Sequence, residues 1–294
     1  METTQNHSPS RAPLREVLAF TTITFGLAIA LALAIPDAGI NVILTALIPA
    51  TAVTIMTFTM FPRGTRRQLW RSIGVGRAGV STWGSALGVP LLVCGGAFGS
   101  ALLLGAGHLR PLHITGVTTF NFVTNNVINF AVMMVILMGE EIGWRGFMLP
   151  RVQQLTTKRR AAVTTGFVHG LFHLPLILIA TTYDTDGSRW IAAPIAVLTI
   201  TAAGVFYAWL WDRSGSTWAV TLGHTTANLT FDFGFAAIAS TTPVSLALVA
   251  GETGIATLGT VVSMAAVLLT RAKVWQTTEC ATAQSTKRDV VTVR

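Results

Sequence analysis

The chain has 294 residues, of which 51% are apolar and 11% charged, with a formal net charge of +8. Ordinary globular domains carry roughly 25% charged residues, so this composition and a mean hydropathy of +0.61 exclude a soluble domain. The positive charges fall between apolar runs rather than in one patch, which argues against a nucleic-acid partner. Apolar runs of about twenty residues are long enough to cross a hydrocarbon core of about 30 Å as helix. A membrane β-barrel would need alternating segments of about ten residues instead, and these are missing. The expected fold is all-α, a polytopic transmembrane helix bundle with the lipid bilayer as its surroundings.

In chain order, residues 1–16 form a polar N-terminal segment with Arg11 and Arg15. The first apolar run is too long for a signal-peptide core and reads as an anchor that stays in the protein. About eight spans are expected, at 17–36, 40–61, 80–105, 120–147, 161–181, 190–211, 217–239 and 245–270. The membrane-embedded domain is thus 17–270, followed by a polar tail, 271–294. Glycines at 84/88 and 95/99 put small residues four apart on the third span, a spacing that permits close helix contact. Pro175 is expected to kink the fifth span. Trp190 and the pair Trp209/Trp211 bracket the sixth as interfacial anchors. Cys94 lies in an apolar run and Cys280 in the tail, so no disulfide framework is indicated.

Short loops set the orientation. The 62–79 loop carries Arg63, Arg66, Arg67, Arg71 and Arg77, and the 150–160 loop carries Arg151, Lys158, Arg159 and Arg160. The tail adds Arg271, Lys273, Lys287, Arg288 and Arg294. The alternate loops hold Asp37 alone, then Arg110 with His108 and His113, then Asp184, Asp186 and Arg189, and finally no charge near 240–246. By the positive-inside rule both termini face the cytoplasm.

Against this background Glu140 and Glu141 stand out, at the end of the apolar run NFVTNNVINFAVMMVILMG and followed by Arg145 in EEIGWR. A carboxylate in or beside hydrocarbon costs about 2.5–3.5 kcal/mol on insertion scales and usually marks function. Adjacent like charges are harder still to explain as structure. His169 and His173 lie about 12–18 Å into the fifth span, and His224 and Asn228 about 10–17 Å into the seventh, at 1.5 Å per residue. Three helices thereby deliver polar side chains to one layer in the cytoplasmic half. Residues four apart share a helix face, so Glu141 and Arg145 can pair, as can the members of each of the other two sets. Glu140 points about 100° away from Glu141, which leaves it free to face a cavity.

This set suits hydrolysis. Glu140 can act as general base, a histidine opposite it can hold the attacking water, and a second histidine with an asparagine amide can stabilise an oxyanion. Asp232 continues the face of His224 and Asn228, or else caps the cavity. The i,i+4 pair His169/His173 has the spacing of zinc-binding helices, with His224 as a third ligand. Yet the residues between the pair, GLF, contain no general base, so the signature HExxH is absent. Metal-free catalysis is slightly favoured over zinc.

The three motifs EEIGWR at 140–145, FHLP at 172–175 and HTTAN at 224–228, in this order on separate apolar segments, resemble the CAAX protease and bacteriocin-processing family of intramembrane proteases. The resemblance covers about residues 120–240. It implies an intramembrane endopeptidase in which Glu140 is the base, His173 helps to activate water, and His224 and Asn228 stabilise the transition state. Glu141 and Arg145 would orient the site, and any metal would fall to His173 and His224. His169 stands where that family usually has Phe or Trp. The implied substrate is a peptide or membrane-associated protein, prenylated in one branch of the family, cleaved near the cytoplasmic face of a prokaryotic plasma membrane. Two other functions fit the same residues: a non-proteolytic protein of bacteriocin immunity or regulation, and a proton-coupled transporter. The absence of an internal repeat disfavours the transporter.

Overall fold

The computed structural model describes residues 12–36, 38–110, 119–180, 188–242 and 245–276. Outside these lie Asp37, His113, Asp184, Asp186 and Cys280, most of the polar N-terminal segment, and the tail beyond 276. The described chain is a helix bundle. The long helices are α1 (Ala12–Ala34), α2 (Ala38–Thr59), α4 (Trp83–Leu103), α5 (Thr119–Glu141), α7 (Lys158–Phe172), α9 (Arg189–Ser214), α10 (Thr217–Ala237) and α12 (Ile255–Arg271). Shorter pieces are α3 (Arg63–Ser72), α6 (Leu149–Val152), α8 (Leu174–Leu178) and α11 (Ser245–Ala250). Two three-residue strands, β1 (Gly107–Leu109) and β2 (Ile238–Ser240), pair antiparallel with Gly107 opposite Ser240.

Among the described residues, seven helical segments are long and apolar enough to cross a membrane. They correspond to seven of the eight expected spans. The remaining one, the seventh at 217–239, is present as α10 but is more polar, with His224, Asn228, Asp232 and five threonines. It packs against α4, α5 and α9, so much of its surface meets protein rather than lipid. Three of its hydroxyls are satisfied inside the helix: Thr221, Thr226 and Thr230 each donate to the carbonyl four residues back. The outward faces of the other helices are apolar, as a hydrocarbon solvent requires, with Leu103 90% exposed and Leu92, Val135 and Leu33 also largely exposed.

Two local deviations from α-helix shape the interior. Beyond Glu141 the chain winds as a π-helix, Ile142–Met148, before α6; such turns often sit at functional sites. In the fifth span, α7 stops at Phe172 and α8 starts at Leu174. Pro175 has no N–H to offer the carbonyl of Leu171, so the break follows from its ring.

Glycines allow backbones to meet at the centre. A methyl at Gly139 would lie 2.7 Å from Ala46 O, and one at Gly143 would lie 2.3 Å from Pro49 Cβ, so α2 lies directly on the segment carrying the two glutamates. Gly166 and Gly170 of α7 similarly meet Thr201 O and Val197 O of α9. The glycines of the third span, 84, 88, 95 and 99, face open space instead.

The arginine-rich end is stitched by side chains. Trp218 Nε1 donates to Val75 O at 2.8 Å, Thr217 Oγ1 donates to Ile73 O, and Ser216 Oγ donates to Arg77 O. Asp212 accepts from Gln153 Nε2 at 2.9 Å and from Trp275 Nε1 at 2.7 Å. Arg151 bonds Glu16 and lies over the Phe147 ring, tying α1 to α6. Trp211, expected as an interfacial anchor, is buried against Gly74 of this loop, whereas Trp190 is exposed.

Candidate active site

Glu140 and Glu141 end α5, and their side chains diverge. Glu141 is fully buried and paired: Arg145 Nη1 donates to its two oxygens at 3.0 and 3.1 Å, and His224 Nδ1 lies 2.8 Å from Oε1. Glu140, 5% exposed, faces the other way, with its Oε2 2.8 Å from His169 Nε2. Neighbouring positions on a helix differ by about 100°, and this rotation separates the two environments.

Hydrogen-bond partners fix the imidazole tautomers. His173 Nδ1 lies 3.1 Å from the carbonyl oxygen of His169. A carbonyl only accepts, so His173 carries its proton on Nδ1 and presents the Nε2 lone pair. His169 Nδ1 faces Arg145 Nη1 at 3.4 Å. A guanidinium only donates, so His169 carries its proton on Nε2 and donates it to Glu140. Trp144 stacks on the His169 ring at 4.8 Å, and Tyr207 stacks on His224 at 5.0 Å with both planes 29° apart.

These groups open onto a cavity of about 660 Å³. Glu140, His169, His173, His224, Asn228, Tyr207 and Asp232 all line it, among apolar residues of α2, α4, α5, α9 and α12 such as Ile43, Val93, Met133, Ile200 and Met264. From Glu140 the cavity runs back along α5 past Leu137 and Met133 and forward along α10 to Asp232 and Phe235. Beyond Glu140 in the other direction, Trp144, Phe147, Met148 and Leu149 are fully buried, as are Thr217 and Val220 at the start of α10. The arginine-rich end is therefore a closed floor. Asn228, one turn beyond His224, has no hydrogen-bond partner among the described residues. Asp232 is exposed at the far part of the cavity, away from the glutamates.

Glu140, His169 and His173 bring potential metal-ligand atoms within 4.8 Å of one another. His224, expected beside His173 in any metal site, lies outside this trio; it bonds Glu141 through Nδ1 and lines the cavity. To serve as a zinc ligand, His169 would have to give up its bond to Glu140. The Nε2 of His169 is committed as a donor to Glu140, and its lone pair at Nδ1 faces the Arg145 guanidinium.

One residue of the site, Tyr207, has no signal of its own in the sequence. Tyr207 is one of only two tyrosines in the chain and sits among the aromatics at the end of the sixth span, where it reads as part of an interfacial belt. His169, a supporting residue and second candidate histidine on sequence grounds, contacts Glu140 across 29 residues of sequence.

A membrane-type bundle with a buried carboxylate–imidazole cluster at the end of an apolar cavity defines the class. Residues 123–230 match the model of the Rce1-like family, described as type II CAAX prenyl endopeptidase Rce1-like. This segment and the three motifs coincide and agree on the CAAX protease and bacteriocin-processing family. At that level the match supports a protease, and hence a hydrolase, in an integral membrane protein. No curated protein matches the chain.

Proposed function

We propose that the protein is an intramembrane endopeptidase driven by Glu140. The observation that carries this reading is the meeting, at one end of the cavity, of a carboxylate, a histidine with a free Nε2 lone pair, and the pair His224/Asn228. A water held between Glu140 and His173 loses a proton to Glu140 as its oxygen attacks the scissile carbonyl carbon. The tetrahedral oxyanion then accepts hydrogen bonds from the Asn228 amide and from Nε2–H of His224, which donates there as the imidazolium whose Nδ1–H is held by Glu141. Collapse breaks the C–N bond, and Glu140 returns the proton to the leaving amine. General base assistance supplies about 10²–10⁴-fold, and each oxyanion donor about 10²–10³-fold. Glu141 and Arg145 hold His224, and His169 holds Glu140.

The substrate is a peptide whose cleavage point is drawn into the bilayer, and the apolar lining suits a lipidated or hydrophobic segment such as a prenylated tail. The arginine-rich loops are taken to face the cytoplasm, which puts the hydrolytic layer in the cytoplasmic half of a prokaryotic plasma membrane. The test is cleavage of a membrane-tethered peptide library by purified wild type and Glu140→Ala. Cleavage by wild type alone is expected. Equal cleavage by both, or none by either, would falsify the assignment.

A further inference from the structure

Beside His224 the cavity wall carries a polar group to which the mechanism assigns no task. Tyr207, on α9, is 6% exposed and lines the cavity beside His224. Its ring stacks on His224, and the Arg145 guanidinium carbon lies 4.9 Å from its centroid. Its hydroxyl has no hydrogen-bond partner among the described residues, and its oxygen is not one of the fully enclosed polar atoms left without one, so it borders the cavity. Buried tyrosine hydroxyls normally find a partner, because leaving one unmade is costly. Phenylalanine would provide the same stacking and the same cation contact without that cost. The packing therefore accounts for the ring and leaves the hydroxyl unexplained, unless its partner is whatever occupies the cavity.

We propose that the Tyr207 hydroxyl is a catalytic hydrogen-bond donor to the substrate's carbonyl oxygen. It joins His224 and Asn228 as a third donor to the oxyanion, from α9 where the other two come from α10. The stack on His224 puts the phenol and the imidazole on one wall of the cavity, and Asn228 follows one turn along. No proton is transferred: the phenol O–H shortens its hydrogen bond as charge develops on the oxygen and relaxes when the intermediate collapses. The proposal rests on the protease reading above.

The test compares wild type with Tyr207→Phe as full chains in lipid nanodiscs, using a membrane-tethered peptide that wild type cleaves. A donor used mainly in the transition state lowers kcat by about 10- to 100-fold and leaves KM within about threefold. Because the hydroxyl has no internal partner, the melting temperature of the variant stays within about 1 °C of wild type or rises. An unchanged kcat overturns the proposal while leaving the protease reading intact. So does a rise in KM alone, which assigns the hydroxyl to ground-state binding. A melting temperature lowered by more than about 3 °C reveals an internal partner and has the same consequence. If wild type cleaves no member of the library, the protease reading fails and this proposal falls with it.

Discussion

Replacing Arg145 with methionine keeps most of the side-chain length and removes a guanidinium that is 1% exposed. Glu141, fully buried, then retains only the His224 imidazole as a partner. Breaking a buried ion pair by deleting one member costs about 3–5 kcal/mol, because the other charge stays desolvated. For chains of this size each kcal/mol shifts the melting temperature by about 2–4 °C, so Arg145→Met should melt about 6–20 °C lower. The double variant Glu141→Gln/Arg145→Met removes both charges, together with the Nε and Nη2 of Arg145, which are buried without a hydrogen-bond partner. It should recover most of the loss, since removing a whole buried pair is often neutral. Thermal unfolding followed by fluorescence of the eight tryptophans reads this directly. Trp144 is a local reporter, buried beside Arg145. A single variant within about 2 °C of wild type, or a double variant as unstable as the two losses added, would refute the argument.

Further outcomes follow from the same geometry. His169→Phe keeps a ring for Trp144 to stack on but removes the donor to Glu140, and should lower kcat about 10- to 100-fold with partial recovery in His169→Gln; equal turnover in all three forms would remove His169 from the mechanism. Because the Glu140–His169–His173 trio does not present three lone pairs, cleavage should survive 1,10-phenanthroline; inhibition that added zinc reverses would show that the tautomers were misread. Gly143→Ala forces a methyl onto Pro49 and should cost about 1–3 kcal/mol, whereas Gly84→Ala, which meets nothing, should be neutral or stabilising; similar melting temperatures for the two would contradict the packing. In a background lacking Cys94 and Cys280, a cysteine in place of Asp232 should react with an impermeant maleimide from the side opposite the arginine-rich loops; labelling from the arginine-rich side alone would mean the cavity opens the other way.

Much of this arrangement was legible in the sequence because it depends on local winding. The i,i+4 spacing of Glu141 and Arg145 and the proline that breaks the fifth span are properties of one helix, and the chain writes them directly. The membrane class is equally plain, since composition alone demands it. The seventh expected span was the exception: its apolar content is diluted by residues that neighbouring helices shelter, which hydropathy along a single segment does not register. Contacts between helices were the least readable. Glycines at 84/88 and 95/99 have the same spacing as those at 166/170, and only the identity of the opposing helix decides which pair is used. The bond from His169 to Glu140 and the stack of Tyr207 on His224 are likewise set by rotations of whole helices about their axes.

The π-helical turn after Glu141 gives the site helix slack in its length. There the N–H of Leu149 bonds the carbonyl of Trp144, five residues back, so the segment holds more chain than α winding would. Losing one residue from the part beyond Arg145 can be absorbed by rewinding to α geometry, with the helix on either side keeping its facing. Losing one before Gly139 has no such outlet, and turns either the glutamates or everything upstream by about 100°. Tolerance to deletion along this helix should therefore be sharply lopsided about the two glutamates, with the permissive side being the one most deeply enclosed in protein.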